Sequence, residues 1–453
     1  MRRSLSTAAI AAALLTPAVS MAQDGAADVE ALRVELAEMR AELAAIKAAG
    51  TMADAKQEMA DLKAAVDAAM KDAETRIQYA QDQLSAGHNG KFFLESPEDD
   101  FLLNIGGQIQ GRYVFNTRDG QPGTSLTTAN DLAGFQLRRI KVKFGGFIGD
   151  PKITYAVTLA ANRDTADVGL ELAAVGYTFD NGVRISGGRF KSPFSLDELI
   201  SSTRQLAAER SAVNDIFTIG YTEGVLVEYS PAKGTKLRAS LNDGAGAGEI
   251  GFNSSDFNEN NTDFAVTGRV DHVLMGDKGS KIKEYTSTAK DDGVLVLGGA
   301  FHHEEVKTGV LGSAIISAGA GLESFQRYTA DLVYKDAGLN AGAAVYFETQ
   351  QAVAGGTEAD PFGFQFQGGY RFENNWEPFF RYEYVDPDTA LEDFSIITFG
   401  VNYYQIKHAS KFTLDFQFGI DSLSGVSDGA GLANDIPGED GQFAIRAQYQ
   451  LLF

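Results

Sequence analysis

The sequence predicts an all-β membrane protein, a sixteen-stranded antiparallel transmembrane β-barrel preceded by an α-helical coiled coil. Three observations predict this fold. An export signal begins the chain, apolar and polar residues alternate in many segments after residue 91, and no later run of about eighteen apolar residues could cross a bilayer as a helix. Strands of about ten alternating residues cross a membrane only as a closed barrel.

The first segment has the pattern of a secretory signal peptide. Arg2 and Arg3 precede an apolar run over residues 8–15, and the small-residue sequence Ser20-Met21-Ala22 follows. This pattern predicts cleavage after Ala22, and the apolar run is too short to anchor the chain in a membrane. Residues 1–22 are therefore predicted to be a signal peptide.

Residues 23–90 are predicted to form a coiled-coil segment. They are rich in Ala, Glu, Lys and Leu, and their apolar residues follow the spacing of a heptad seam: Val29, Leu32, Leu36, Met39, Leu43 and Ile46. Gly50 interrupts this seam, and a second seam in another register begins at Met52. An oligomeric rod of roughly 90 Å is the favoured interpretation. The alternative is a single amphipathic helix that packs on its own domain.

The barrel is predicted to occupy residues 91–453. Candidate strands lie near 103–115, 139–144, 152–162, 168–179, 182–190, 219–230, 234–242, 263–274, 293–304, 323–336, 338–349, 361–373, 376–386, 394–407, 410–421 and 441–453. An even number suits a single-chain bacterial barrel, although 275–292 and 305–322 could hide or split a strand. A soluble β-sandwich or propeller is the alternative fold, but no repeat of about forty residues indicates propeller blades.

The terminal segment from Gly441 onward shows this alternation over its full length. One face is apolar and carries Phe443, Ile445, Ala447, Tyr449, Leu451 and Phe453, whereas the intervening places are mostly Gln with Arg446 among them. Successive side chains of a strand point to opposite faces, so one face would meet lipid and the other the lumen. We expect this strand to pair with the first one, near 103–115, because an open edge cannot stand in a membrane.

The inward faces of the strands carry the candidate pore-lining bases. By alternation they are Arg112, Arg139, Lys141, Lys143, Arg184, Lys236, Arg238, Arg269, Arg327, Arg371, Arg381 and Arg446. Arg139, Lys141 and Lys143 occupy alternate positions on one strand and would form a cationic ladder over roughly 14 Å. Such a ladder favours anions in a narrow pore. The alternative is a charge-balanced lumen, because acids are also predicted to face inward: Glu228, Asp271, Asp331, Glu373, Glu377, Glu383 and Asp415.

Composition argues against several classes of function. The net charge of -22 argues against nucleic acid as a partner, and the absence of cysteine excludes disulfides and thiolate metal sites. No nucleophile elbow or zinc-protease motif is present. We therefore expect no catalytic residue, no metal site and no cofactor. Acidic loop residues such as Asp256 and Glu259 could bind Ca²⁺, but solvated loop surface is the more common role.

Residues 187–199 interrupt the strand pattern with the sequence G-G-R-F-K-S-P-F-S-L-D-E-L. This stretch resembles the motif of the phosphate-selective porin O and P family, and the resemblance extends in architecture over about 91–453. It implies a trimeric barrel whose third long loop folds inward and narrows the pore. On this chain the loop would run from Lys191 to Phe217, with Glu209 and Asp215 in it, and its constriction residues would be Lys191, Pro193, Phe194, Asp197, Glu198, Arg204 and Arg210.

The resemblance implies an outer-membrane porin that forms a water-filled channel for passive diffusion of small hydrophilic solutes, with phosphate or other small anions favoured. The implied partners are a homotrimer, outer-membrane lipids, small anionic or neutral solutes and the barrel assembly machinery, which would read Phe453. The expected location is the outer membrane of a Gram-negative bacterium, with the N-terminal segment in the periplasm. The alternative is a structural protein that tethers this membrane to peptidoglycan through the coiled coil.

Overall fold

The computed structural model describes most of the chain. Its described residues are 63–72, 84–118, 130–162, 167–245, 262–277, 282–306, 322–354, 358–389, 392–423 and 440–453, together with 34, 37, 38, 40, 41, 74, 75, 356 and 432. The contacts divide the chain into two compact units. One comprises Met1–Asn89 with Phe93–Leu102, and the other comprises Gly90–Phe92 with Leu103–Phe453.

The first unit contains helical residues in the segment predicted to be a coiled coil. Residues 63–72 are helical, as are the described residues between 34 and 41. Arg40 Nη2 lies 3.1 Å from Glu74 Oε1, whereas 34 residues of one continuous helix would separate them by about 50 Å. These two residues therefore do not lie along one continuous straight helix, and the coiled-coil assignment of 23–90 stays a prediction. The signal peptide and most of the coiled coil lie outside the described residues.

Two short strands, Ser85–His88 and Phe92–Glu95, come next in the sequence. The first of them falls inside the segment 23–90 that the sequence assigns to the coiled coil, near its end. Gly87 and Ser85 are poor helix formers, so the helical composition has already ended there. Among the described residues, no helix is long and apolar enough to cross a membrane.

The second unit is built from sixteen long strands, each antiparallel to its neighbours. They are β1 Phe101–Thr117, β2 Asp131–Ile148, β3 Asp150–Ala161, β4 Val168–Thr178, β5 Arg184–Lys191, β6 Tyr221–Ala232, β7 Thr235–Asn242, β8 Thr262–Met275, β9 Val294–Val306, β10 Leu322–Asp336, β11 Leu339–Ala352, β12 Phe362–Tyr370, β13 Trp376–Asp386, β14 Phe394–Ile406, β15 Ser410–Gly419 and β16 Phe443–Leu452. Each pairs with the next in sequence, and β16 pairs with β1, so the sheet is closed. The predicted sixteen-stranded barrel is confirmed.

The closing seam joins the two ends of the barrel sequence. β16 runs antiparallel to β1 in an unbroken register from Phe443 opposite Thr117 to Leu452 opposite Gln108. Beyond this ladder, Gly107 N donates to the Phe453 carbonyl oxygen at 2.7 Å, and Phe453 N donates to the Gly107 carbonyl at 3.2 Å. The terminal residue therefore continues the pairing that closes the sheet.

The two faces of the strands differ as the alternation predicts. Along β1, Gln108, Gln110 and Arg112 are buried in the interior, whereas Ile109 and Tyr113 are exposed on the outer surface. The outer surface also exposes aromatic side chains on many other strands, among them Phe301, Tyr328, Phe347, Phe366, Phe380 and Phe399. An apolar outer face with an inner face rich in Gln, Arg and Glu is the pattern of a barrel in a bilayer.

The links between strands differ in length at the two ends of the barrel. At one end, which we call the short-turn end, most connections have five residues or fewer, such as Gly149 alone between β2 and β3. Gly149 has a positive φ of 74°, which explains glycine in so tight a link. The exception is 276–293, which contains no strand among its described residues. The opposite, long-loop end carries the longer connections, including 192–220.

Candidate functional site: the constriction inside the barrel

The loop 192–220, called the constriction loop below, contains three short helical turns. These are α1 Leu196–Leu199, a 3-10 turn Ser202–Arg204 and α2 Ala212–Phe217. Ser211 caps α2, because its Oγ accepts a hydrogen bond from Asn214 N at 2.9 Å. Ser195 precedes α1 but makes no capping bond. Its hydroxyl instead donates to Asn214 Oδ1 at 2.6 Å, which ties the start of the loop to α2.

One side of the constriction loop packs against the barrel wall. Phe194, Val213 and Phe217 are buried together with residues of β10, β11, β13 and β14, including Phe325, Tyr346, Val385 and Ile396. The Phe217 and Tyr346 rings stack with their centroids 5.6 Å apart. Gly363 of β12 allows this approach, since a Cβ there would lie 2.7 Å from the Phe217 ring. The loop therefore covers the inner face of these strands.

Buried bases of the same wall hold the backbone of the constriction loop. Arg269 Nη1 donates to the Phe194 carbonyl at 2.7 Å, and Arg381 Nη1 donates to the Glu209 carbonyl at 3.0 Å. Arg327 Nη1 reaches the Thr218 carbonyl at 3.2 Å, and Lys411 Nζ reaches the Gln205 carbonyl at 2.8 Å. Each of these contacts satisfies a carbonyl of a buried loop, which would otherwise be left without a partner.

Three of these bases and Arg446 of β16 are neutralised by acids of the wall. Asp331, Glu348, Glu383 and Asp415 pair with Arg269, Arg327, Arg381 and Arg446 respectively. These four arginine side chains are only 0–4% exposed. They are buried in the barrel interior, and Arg269, Arg327 and Arg381 also bond carbonyls of the loop, so the geometry suits these three to holding the loop rather than meeting a solute.

The other face of the constriction loop meets three arginines at one carboxylate. Glu209 Oε1 accepts from Arg112 Nη1 at 2.7 Å and from Arg138 Nε at 2.5 Å, while Glu209 Oε2 accepts from Arg139 Nη2 at 2.6 Å. Burial would raise the pKa of Glu209, but the guanidinium groups of Arg138, Arg139 and Arg112 hold that pKa well below its usual range. One negative charge therefore stands among three positive charges.

Arg138 was missed by the alternation argument. On β2, Gln136 bonds Arg112 inside the barrel and Leu137 is exposed outside, yet Arg138 and Arg139 both reach Glu209. The inward series therefore passes from even to odd numbers at this point, as in a β-bulge. The sequence offered a short signal, because Gln136 occupies an even position before this pair, whereas Lys141 and Lys143 occupy odd positions after it.

The other predicted pore-lining bases of β2–β7, which are Lys141, Lys143, Arg184, Lys236 and Arg238, are partly exposed to water. Lys141 pairs with Glu171, and Lys143 Nζ donates to the neutral Gln108 Oε1 at 3.1 Å. Near the short-turn end, Glu228 lies 2.5 Å from Lys236 Nζ and 3.6 Å from Arg184 Nε, and Asp271 lies 3.2 Å from Arg238 Nη2. The side chains of Lys141, Arg238, Arg184 and Lys236 are 12–37% exposed. Water therefore reaches these side chains on the inner face of β2–β7.

The other predicted loop residues have varied surroundings. Glu198 pairs with Lys191 at 3.0 Å and with Arg210 at 3.2 Å. Asp197 Oδ2 accepts from the Ser211 backbone N–H at 3.2 Å, and Arg204 Nη1 lies 3.5 Å from Glu284. Pro193 immediately precedes the buried Phe194. These contacts tie the constriction loop to β5, to itself and to the link 276–293.

Arg371 belongs neither to the bases that hold the constriction loop nor to the water-exposed bases of β2–β7. It follows β12 at the short-turn end, where its Nη2 donates to Asn375 Oδ1 at 2.9 Å. Its guanidinium carbon lies 4.2 Å from the centroid of the Tyr404 ring. Within the described part of the chain, no group of three or more His, Asp or Glu residues is arranged to hold a metal ion.

A closed barrel with a loop folded into its lumen defines a channel-forming membrane protein. The sequence model of the family phosphate-selective porin O and P matches residues 104–450. The chain belongs to this family and is an outer-membrane channel of Gram-negative type. No curated protein sequence matches it.

Solved structures of porins share the fold at low sequence identity. The chain is similar to the anion-selective porin from Comamonas acidovorans, with 11% identity, a TM-score of 0.53 and coverage of 78% of this chain and 99% of that one. OprB of Pseudomonas putida gives 8% identity, a TM-score of 0.52 and coverage of 78% and 94%. OmpF of Salmonella typhi in complex with daunomycin has 13% identity and a TM-score of 0.51, and the match covers 78% of this chain and 99% of that one. At these identities the likeness shows the fold alone.

Proposed function

We propose that the channel passes small hydrophilic solutes by passive diffusion and favours anions, with phosphate as one candidate. The conduction path would run between the constriction loop and strands β2–β7, because the loop packs against the inner face of β10, β11, β13 and β14. The main support for an anion preference is the group formed by Glu209, Arg112, Arg138 and Arg139. In it three arginines surround one carboxylate, which leaves two positive charges in excess. A positive excess at a narrow point lowers the barrier for anions.

The mechanism requires no chemistry. The water-exposed bases of β2–β7 would guide an anion along the wall, and their acid partners Glu171, Glu228 and Asp271 would keep it from binding too tightly to leave. We infer a non-enzymatic protein on this basis. The constriction loop would set the size limit, since it occupies part of the cross-section.

The assembly proposed for this channel follows the family resemblance. We propose a homotrimer in outer-membrane lipid, with the long-loop end outside the cell and the short-turn end in the periplasm. Assembly by the barrel machinery, a periplasmic N-terminal segment and contact of that segment with peptidoglycan stay predictions.

Planar bilayer recordings test the channel and its selectivity together. The purified protein should give stepwise currents, and the reversal potential in a KCl gradient should lie on the chloride side of zero. Lys141→Glu should move that potential toward the potassium side, because Lys141 is a water-exposed base on the proposed path. Lys407→Glu, at an exposed position in the turn between β14 and β15, is the matched charge reversal away from this wall. Absence of current would refute the channel, and a cation-selective wild type would refute the anion preference.

A further inference from the structure

The link 276–293 is unusual among the connections of the short-turn end. It joins Met275 of β8 to Val294 of β9, whereas the other described links at that end have at most five residues. Tight hairpins between neighbouring antiparallel strands need only two to five residues. Closure of the sheet therefore does not explain its length.

The described part of this link turns into the barrel. Tyr285, Thr286 and Ser287 are 4%, 2% and 0% exposed, although they belong to a connection rather than a strand. Thr286 Oγ1 lies 2.8 Å from the Tyr404 hydroxyl of β14, and Ser287 Oγ accepts from Gly338 N at 3.2 Å. Ala337 N also donates to the Asp291 carbonyl at 3.1 Å. The segment is thus fixed to the wall at several points.

The same segment contacts the constriction loop. Tyr285 packs in one apolar cluster with the loop residues Leu196, Ile200, Leu206 and Ala207, and with Val333 and Phe379 of the wall. Ile282 packs against this cluster from the link. These loop residues would lose an apolar neighbour and gain contact with water if Tyr285 were truncated.

A charged contact accompanies the apolar one. Glu284 Oε1 lies 3.5 Å from Arg204 Nη1 of the constriction loop, and Glu284 also bonds His408 Nε2 in the turn between β14 and β15. Both Arg204 and Glu284 are partly exposed to water. The link therefore supplies a carboxylate that neutralises a loop base at the edge of the aqueous space.

We propose that residues 282–293 form a second constriction segment, inserted from the short-turn end, which positions the constriction loop and so helps to set the width and charge of the pore. This inference rests on the proposed channel function. Tyr285 acts as a positioning residue for the loop, and Glu284 acts on selectivity by neutralising Arg204. The pore is then narrowed by two segments that enter from opposite ends.

The test compares three variants of the full-length protein in planar bilayers. Tyr285→Ala should raise single-channel conductance by roughly twofold and admit larger neutral sugars in liposome swelling, because the loop loses its support. Glu284→Gln should keep the conductance but move the reversal potential toward anions. Glu373→Gln, at an exposed position in the turn between β12 and β13 and outside both constriction segments, is the matched control and should behave as the wild type.

The outcomes separate this inference from the proposed function. A wild-type protein that gives no current refutes the channel itself. A conducting wild type with Tyr285→Ala and Glu284→Gln both indistinguishable from Glu373→Gln overturns the inference and leaves the channel intact. If Tyr285→Ala does not fold, Glu284→Gln decides, because it preserves the shape of the side chain and a shift of its reversal potential supports the inference, whereas an unchanged potential overturns it.

Discussion

Arg139 Nη2 donates a 2.6 Å hydrogen bond to Glu209 Oε2 and so joins the barrel wall to the constriction loop. The same carboxylate also binds Arg112 and Arg138. Glu209→Gln would leave three guanidinium groups around a neutral amide, so we expect the anion preference to increase. The reversal potential in a KCl gradient measures it. Glu373→Gln, at an exposed position in the turn before β13, serves as the control. A shift toward cations would contradict the role given to Glu209.

Arg381 is expected to stabilise the barrel rather than conduct. Its Nε donates to Glu383 Oε2 at 2.8 Å, and both side chains are at most 1% exposed. Arg381→Met would leave a buried carboxylate without its cation, a change that costs about 3–5 kcal/mol. Urea unfolding, followed by the heat-modifiable mobility of the barrel, measures this loss.

The matched control removes the charge of both partners. Arg381→Met combined with Glu383→Gln should recover a large part of the stability, because the amide can still accept the hydrogen bond from Ala212 N that Glu383 accepts now. If the double variant is as unstable as Arg381→Met alone, an unpaired carboxylate is not the cause of the loss.

The fold was predictable because it depends on a local pattern. A period of two fixes which side chains of a strand share a face, and the sixteen segments found by alternation correspond to the sixteen strands. The same pattern explains why Arg269 and Arg238 both point inward. It does not reveal that Arg269 lies beneath the constriction loop while Arg238 faces water. That difference depends on where a loop packs, which contacts distant in sequence determine.

The inward position of Arg138 and the burial of Tyr285 could not be predicted from the alternation of apolar and polar residues. Arg138 lies where the phase of alternation changes, so an argument from strict alternation places it outside. Tyr285 belongs to an aperiodic link, and its burial depends on the loop and wall residues around it. The unusual length of the link 276–293 was the one feature of the sequence that indicated an additional role for this segment.

The anion preference should depend on pH through Asp215. The Asp215 side chain is exposed to the lumen. Desolvation by the surrounding protein and the negative charge of Glu209 nevertheless raise the pKa of its carboxyl to about 7. Below that pH the group is neutral, and above it the group adds a negative charge to the constriction loop. The reversal potential should therefore move toward cations as the pH rises from 5.5 to 8.5. Asp215→Asn should remove most of this change, and an equal pH response in that variant would assign the titration to another group.

The terminal Phe453 is expected to matter more for assembly than for conduction. Deletion of Phe453 removes both its backbone pairing with Gly107 and the terminal aromatic. We expect less folded barrel in the membrane, measured by heat-modifiable mobility, with normal conductance in the channels that do form. Gly107→Ala separates the two effects, because its Cβ would lie 2.1 Å from the Phe453 ring and displace it while the residue remains. If Gly107→Ala assembles normally and the deletion does not, the aromatic is read as a terminal signal; if both fail equally, the packing of the ring on the seam is what assembly requires.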